Sequence, residues 1–194
     1  MKHNIIALGL FILTSFSISF AYAQTSIPVP IKENSIYYEE VVKVDSLFKQ
    51  NDLFLKSKQW IAQNFVTSSN YNPIQHEDKD NGLITIRIYL KEFTNYTFGY
   101  DYFVNVSCIG NIRLKDGRFK YSFSDFKYKT RGVHTPTNTP TENEEGSCDS
   151  FISGSNSGIS KKFNLRNLEN IDLLTNDLIK TLKKTLSQPL IEEF

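Results

Sequence analysis

The stretch YDYFVNVSCIGNIRLKDGRFKYSFSDFKYK, residues 100–129, reads as one long β-hairpin that the other elements need in order to bury their own apolar faces. Asp116-Gly117 supplies the turn, a dipeptide that accepts positive φ at both central positions and so favours a two-residue type I′ connection. With that turn fixed, Leu114 faces Phe119, Ile112 faces Tyr121 and Gly110 faces Phe123. Tyr102, Val104, Val106, Cys108, Ile112 and Leu114 then share one face with those aromatics, and that face must be covered. The opposite face carries Phe103, Asn105, Ser107, Ile109, Lys120 and Ser122, a mixture that tolerates water. Along the second strand the apolar parity slips from odd (Phe119, Tyr121, Phe123) to even (Phe126, Tyr128). This predicts a β-bulge near Ser124-Asp125 that bends the sheet.

Upstream, Ile36 to Val44 alternates as a strand with one wet face. From about Asn51 to Phe65 the period lengthens to that of a helix. Leu53, Ser57, Trp60, Ile61 and Asn64 form its stripe, Lys56, Lys58 and Gln63 lie outside it, and Asn51 is the expected N-cap. Trp60, the sole tryptophan, is expected to plug the sheet. A second hairpin follows: Tyr71 to His76, broken by Pro73 and therefore suited to an edge, then Leu83 to Leu90, with Asn81-Gly82 supplying positive φ. Lys91 to Gly99 is read as a loop. Residues 130–162, rich in Thr, Pro, Asn, Ser, Gly and Glu, are read as a long surface loop. Leu168, Ile171, Leu174, Leu178, Leu182 and Leu186 then recur at helical spacing up to Gln188-Pro189. The expected fold is therefore α+β: a two-layer β-α-β-β-β-β-α domain, with a curved five-stranded antiparallel sheet carrying two helices on one face.

The ends of the chain read differently. Residues 1–23 have the form of a secretory signal peptide: a short basic start, an apolar run from Ile5 to Phe20, and the small-x-small site Ala21-Tyr22-Ala23. The competing reading is an uncleaved anchor, for which the run is short. Residues 24–34, with Pro28 and Pro30, are read as an extended leader outside the core. The domain spans 35–188, and 189–194 form a tail. A chain of this size is long enough for one domain that buries roughly 70% of its unfolded surface.

Charge is balanced, with 22 Lys and Arg against 21 Asp and Glu. A general nucleic-acid binder carries a basic excess, so DNA and RNA are not expected partners. An even pair of cysteines, Cys108 and Cys148, suggests a disulfide in an oxidising compartment, contributing about 4 kcal/mol in the chain-entropy model. The alternative is a buried free thiol at Cys108 and an exposed one at Cys148. The expected location is the periplasm or the extracellular space.

The run Ile36-Tyr-Tyr-Glu-Glu-Val-Val-Lys-Val-Asp45, followed by Leu53-Phe-Leu-Lys-Ser-Lys-Gln-Trp-Ile61, resembles the opening of domain of unknown function 4468. Lys115-Asp-Gly-Arg-Phe-Lys-Tyr121 is similar to a later part of it, and the likeness covers about Ile36 to Lys129. The resemblance implies an exported bacterial protein, mainly of the Bacteroidota, with a TATA-binding-protein-like fold. It carries over no activity and no catalytic residues, and a fold does not fix a function.

Signatures of chemistry are weak. The chain has three histidines, His3, His76 and His134, scattered rather than clustered for zinc. Gly154-Ser155-Asn156-Ser157-Gly158 has Asn where a nucleophile elbow requires Ser, and the Ser-x-x-Lys spacings at Ser46 and Ser124 lack companion motifs. Asp78-Lys79-Asp80-Asn81-Gly82 has calcium-like spacing but reads as a hairpin turn, and Glu142, Glu144, Glu145 and Asp149 read as a solvated cluster. No catalytic residue, metal ligand or cofactor is expected. What remains is surface: Tyr37, Val41, Arg87, Tyr89, Phe103, Asn105 and Ile109 point away from the helices, more aromatic and branched area than a bare face needs. The leading reading is a non-enzymatic envelope domain that binds a protein or a glycan there. The alternative is a carrier holding a small apolar ligand between the sheet and the last helix.

Overall fold

In the computed structural model, which describes residues 27–65, 72–97, 99–134, 137–141, 143–154 and 160–188, the hairpin is the spine of the molecule. The elements in chain order are β1 (Ile31–Lys32), β2 (Ser35–Ile36), β3 (Tyr38–Lys43), α1 (Gln50–Phe65), β4 (Ile74–Asp78), β5 (Leu83–Tyr89), β6 (Phe93–Thr97) and β7 (Tyr100–Lys115). They continue with β8 (Arg118–His134), β9 (Thr139–Pro140), β10 (Glu144–Ser147), α2 (Asp149–Gly154) and α3 (Lys161–Ser187). The expected signal peptide, the tail, Glu142 and residues 155–158 lie outside the described residues.

β7 and β8 pair in the expected register, Leu114 with Phe119, Ile112 with Tyr121 and Gly110 with Phe123. The register slips between Ser107 and Ile109, where Asp125 takes φ +52°, so the bulge sits at the residue pair where the parity changes. Val104, Val106, Cys108, Ile112, Leu114, Phe119, Phe123 and Phe126 are all buried on the inner face. The turn itself differs from expectation. Gly117 has φ +67° but Asp116 is not in the positive-φ region, so this is not a type I′ turn. Tertiary bonds set it instead: Asp116 Oδ1 accepts the Gln50 N–H at 2.8 Å, Gly117 N–H donates to the Phe48 carbonyl at 2.9 Å, and Val44 N–H donates to the Gly117 carbonyl at 3.0 Å. Asp116 therefore caps α1 across the chain, in place of the expected Asn51, while Asp52 accepts the Lys49 N–H at 3.0 Å.

Among the described residues, one large antiparallel sheet of eight strands surrounds the spine and divides into two ends. Near the Asp116 turn the order is β4-β5-β7-β8-β3, the five strands the sequence predicts, with β4 at the edge. Beyond the bulge, β6 pairs with β7 while β10 and β9 pair with β8. This end is a correction. Lys91 to Gly99 contains β6 rather than a loop, and the expected loop at 130–162 holds the end of β8, two strands and α2. The leader is corrected as well: Glu33 (φ +52°) and Asn34 (φ +64°) turn β1 into β2, and Val29 is buried in the core.

All three helices cover the inner face. Trp60 Nε1–H donates to Thr181 Oγ1 at 2.9 Å, Tyr38 O–H donates to Asp172 at 2.9 Å, and Asn95 Nδ2 donates to the Phe163 carbonyl at 3.1 Å. Phe151 of α2 packs on Tyr128, ring centroids 4.7 Å apart. Lys56, expected outside the stripe of α1, is buried between the Phe48 ring, 3.6 Å away, and the carbonyl of Gln188, to which its ammonium donates. The C-terminal end of α3 leaves carbonyls without intrahelical partners, and a cation is the group that satisfies them.

The expected disulfide is absent: Cys108 and Cys148 are free, and both are buried. β8 explains why. Cys108 lies on β7, on one side of β8, and Cys148 donates its N–H to Phe126 on the other side at 2.9 Å. Two strand spacings amount to about 9.5 Å between Cα atoms, beyond the roughly 7 Å that a disulfide spans. Burial pushes the Cys108 thiol up to about 12 and raises Cys148 further. Both thiols are thus expected to resist a thiol-reactive dye in the native protein and to react fully in denaturant, with intact mass unchanged by reduction. A two-dalton gain on reduction would contradict this arrangement.

Candidate functional site

The outer face of the sheet carries the odd residues of β3, β5 and β7 and, beyond the bulge, Lys127, Lys129 and Arg131 of β8. The helices lie behind it, so its side chains present a broad surface, and two of its depressions are well defined among the described residues. One is a trough of about 590 Å³ lined by Tyr89, Asn105, Ser107, Lys127, Lys129 and Glu145 among others. The register builds it: Tyr89 pairs with Ser107, Ser107 with Lys127, Asn105 with Lys129, and Lys129 with Glu145. Tyr89 is 57% exposed at its wall, and Asn105 Nδ2 donates to Glu92 at 2.8 Å. Beside it Phe103 lies under the Arg131 guanidinium, 4.9 Å from the ring centre.

The second depression, of about 270 Å³, lies at the Asp116 end and is lined by Val41, Arg113, Lys115, Arg118, Phe119 and Lys120. Here Lys120 meets Glu39 at 2.7 Å. That hydrogen bond, with a second from Tyr37 O–H, holds the Glu39 carboxyl below its usual range. At the sheet edge the bonds from Lys183 and Tyr121 do the same for Glu40, and burial raises the Tyr121 phenol.

Of the residues read from sequence, Tyr89 and Asn105 meet in the trough, Phe103 flanks it, and Arg87 and Ile109 are paired and half-buried further along the face. Tyr37 does not join them. It sits ahead of β3, with Lys32 Nζ 4.7 Å from its ring centre and its hydroxyl on Glu39. Lys127, Lys129 and Ser147 were not named from sequence, and Glu145 was read as part of a solvated acidic cluster rather than of this site. The parity slip at Ser124-Asp125 turns both lysines outward, whereas β10 leaves no apolar signal.

Elsewhere, Asp78 accepts the side-chain amide of Asn81 at 2.7 Å and its backbone N–H at 3.0 Å, which makes the calcium-like run a hairpin turn. His134 Nδ1 contacts the Thr137 hydroxyl at 2.7 Å and its ring packs on Tyr100. Among the described residues no three of His, Cys, Asp and Glu cluster as metal ligands, and no helix is long and apolar enough to cross a membrane.

Residues 38–129 match the model of the domain of unknown function DUF4468 with TBP-like fold. Over this stretch the chain resembles that family. Two solved structures share its shape. A DUF4468 family protein from Bacteroides ovatus aligns with TM-score 0.56 at 13% identity, over 86% of this chain and 94% of the other. A TBP-like protein from Parabacteroides distasonis aligns with TM-score 0.56 at 13% identity, over 80% and 97%. At this identity the likeness is one of fold. No curated protein matches the sequence. The DUF4468 match ends at Lys129, so β9, β10, α2 and α3 lie beyond it, and β10 supplies one wall of the trough.

Proposed function

We propose that this DUF4468-like domain is an exported, non-enzymatic interaction module of the periplasm or cell envelope, binding a protein or a glycan through its outer sheet face. The observation that carries the reading is the trough, where an exposed tyrosine, two lysines, a glutamate and an asparagine converge on a face that none of the helices covers. Few convergent polar groups beside an aromatic wall are what recognition sites use. The carrier alternative has less room. The recess lined by Leu174 and Leu178 is about 210 Å³, and Leu182 is fully buried. Pockets for small ligands run from roughly 300 to 1,000 Å³.

Phe103→Ser tests the face. Thermal unfolding is expected to shift by less than about 2 °C, since Phe103 is half-buried and outside the core. Capture of the partner from envelope extract is expected to fall at least tenfold. A large loss of stability would mean that this face is buried in the native protein, and the reading would fail.

A further inference from the structure

Resting on that open-face reading, we propose that the ligand is an acidic polysaccharide, whose carboxylate or sulfate groups are held by the cations at the Asp116 end of the outer face. The register lines Lys43, Arg118 and Lys115 up across three strands, and in the next row Val41, Lys120 and Arg113. Like charges placed directly opposite destabilise a sheet, so folding alone does not favour Lys115 against Arg118 or Arg113 against Lys120. Lys120 is tied to Glu39; Lys43, Arg113, Lys115 and Arg118 form no ion pair among the described residues. Arg113, Lys115 and Arg118 line, with Lys120, the depression whose apolar side includes Val41, 55% exposed, and Lys43 lies in the same cross-strand row as Arg118. An arginine fork matches a carboxylate or sulfate in a bidentate pair.

The cluster is a local segregation, because the chain as a whole is balanced at 22 basic against 21 acidic residues. From it the outer face runs through neutral hydrogen-bonding side chains, Ser122, Asn111 and Thr85, the last bonded to Asn111 at 2.8 Å. It then crosses the row of Arg87, Ile109 and Ser124 and reaches Ser107, Tyr89 and the two lysines of the trough. From Arg118 to Lys129 is about 35 Å of strand, a length for an extended polymer and not for a single sugar. Hydroxyl and amide side chains, with Arg87 and Ile109 among them, lead from the cationic end to a trough where Lys127 is tied to Asp125, Lys129 lies opposite Glu145 and Tyr89 is an exposed aromatic. Such a track suits a chain of sugar rings whose acidic groups are held mainly at the Asp116 end. A protein partner would be expected to find a wider apolar centre than the half-buried Ile109 offers.

The test is titration calorimetry of the full chain with polygalacturonate and with chondroitin sulfate, against methyl-esterified pectin and a single-stranded oligonucleotide. Binding of either acidic glycan is expected, weakening as salt rises, with the esterified polymer at least tenfold weaker. Arg113→Ser combined with Arg118→Ser is expected to lower affinity at least tenfold while Tm stays level or rises by about 1–3 °C. Unchanged affinity in that variant, no binding of either glycan, or tighter binding of the oligonucleotide would each overturn the proposal. If acidic glycan binding survives the arginine changes but is lost in Tyr89→Ala or Phe103→Ser, the cation assignment falls and the open-face reading stands. If no outer-face variant alters capture of anything, that reading falls too.

Discussion

Replacing Trp60 with alanine is expected to lower the free energy of unfolding by about 3–5 kcal/mol, the range for removing a buried large aromatic side chain. Trp60 is 0% exposed, on the stripe of α1 that includes Leu53 and Ile61, and its ring meets Phe65 edge-on with centroids 5.2 Å apart. Truncation opens a void between the helices that their backbones cannot close, because α1 is pinned at its start by Asp116 and Lys56 ties it to the end of α3. It also removes the indole donor from Thr181, whose hydroxyl keeps its own bond to the Leu178 carbonyl at 2.9 Å. Against a total stability of about 5–15 kcal/mol, this loss leaves a marginal domain. Urea denaturation followed by circular dichroism is the measurement, since the variant has no tryptophan to report. Trp60→Phe should cost less, because most of the ring volume remains. A near-neutral Trp60→Ala would mean that the tryptophan faces a ligand and not the core.

The long hairpin was legible because two independent signals agree on it. Asp116-Gly117 fixes where the chain reverses, and strict alternation fixes which side chains are buried, so a slip by one residue would turn the whole apolar set to water. The same alternation located the bulge. What failed to read out were strands whose buried positions are not apolar. In β6 the inward residue is Asn95, 3% exposed and bonded to Asn167 and to the Phe163 carbonyl, while Tyr96 points out at 56% exposure. Its inward side thus mixes Phe93 with a buried asparagine while a tyrosine faces out, so the alternation is lost and the strand looks like a loop. In β10 the inward residue is Gly146. A Cβ there would lie 3.2 Å from the Tyr128 ring, so the neighbouring strand fills the core that β10 covers.

The site was half legible for related reasons. Tyr89, Phe103 and Asn105 follow from parity on strands that are easy to recognise. Glu145 and Ser147 reach the trough only through the pairing of β10 with β8, which composition hides. The two cysteines show the opposite error. Their even count suggested a bond, but nothing in their spacing could reveal that β8 would run between them.

Gly82→Ala is expected to destabilise the domain by about 1–4.5 kcal/mol net, from a left-handed backbone conformation that costs a side chain roughly 1–2 kcal/mol and from crowding worth about 1–3 kcal/mol. Gly82 has φ +61° and closes the turn between β4 and β5. A Cβ there would lie 2.5 Å from the carbonyl oxygen of Leu114 and 2.8 Å from Cδ of Gln50. The glutamine can swing aside, at the loss of its bonds to the Lys79 and Asp80 carbonyls, but the Leu114 oxygen belongs to the spine of the sheet. Relief must come from moving β5 off β7, and that breaks the bond from Leu114 N–H to the Gly82 carbonyl at 2.8 Å. Gly99→Ala separates the two causes. Gly99 has φ +81°, yet nothing lies within 4 Å of a Cβ there, so its cost should be the conformational part alone. Stiffening of the unfolded chain offsets both variants by a similar 0.4–1 kcal/mol or so. Chemical denaturation of the pair should therefore place Gly82→Ala at least about 1 kcal/mol below Gly99→Ala. Equal losses would mean that the hairpin spine yields to the added methyl, and that β5, β7 and α1 do not meet at Gly82 as tightly as their contacts require.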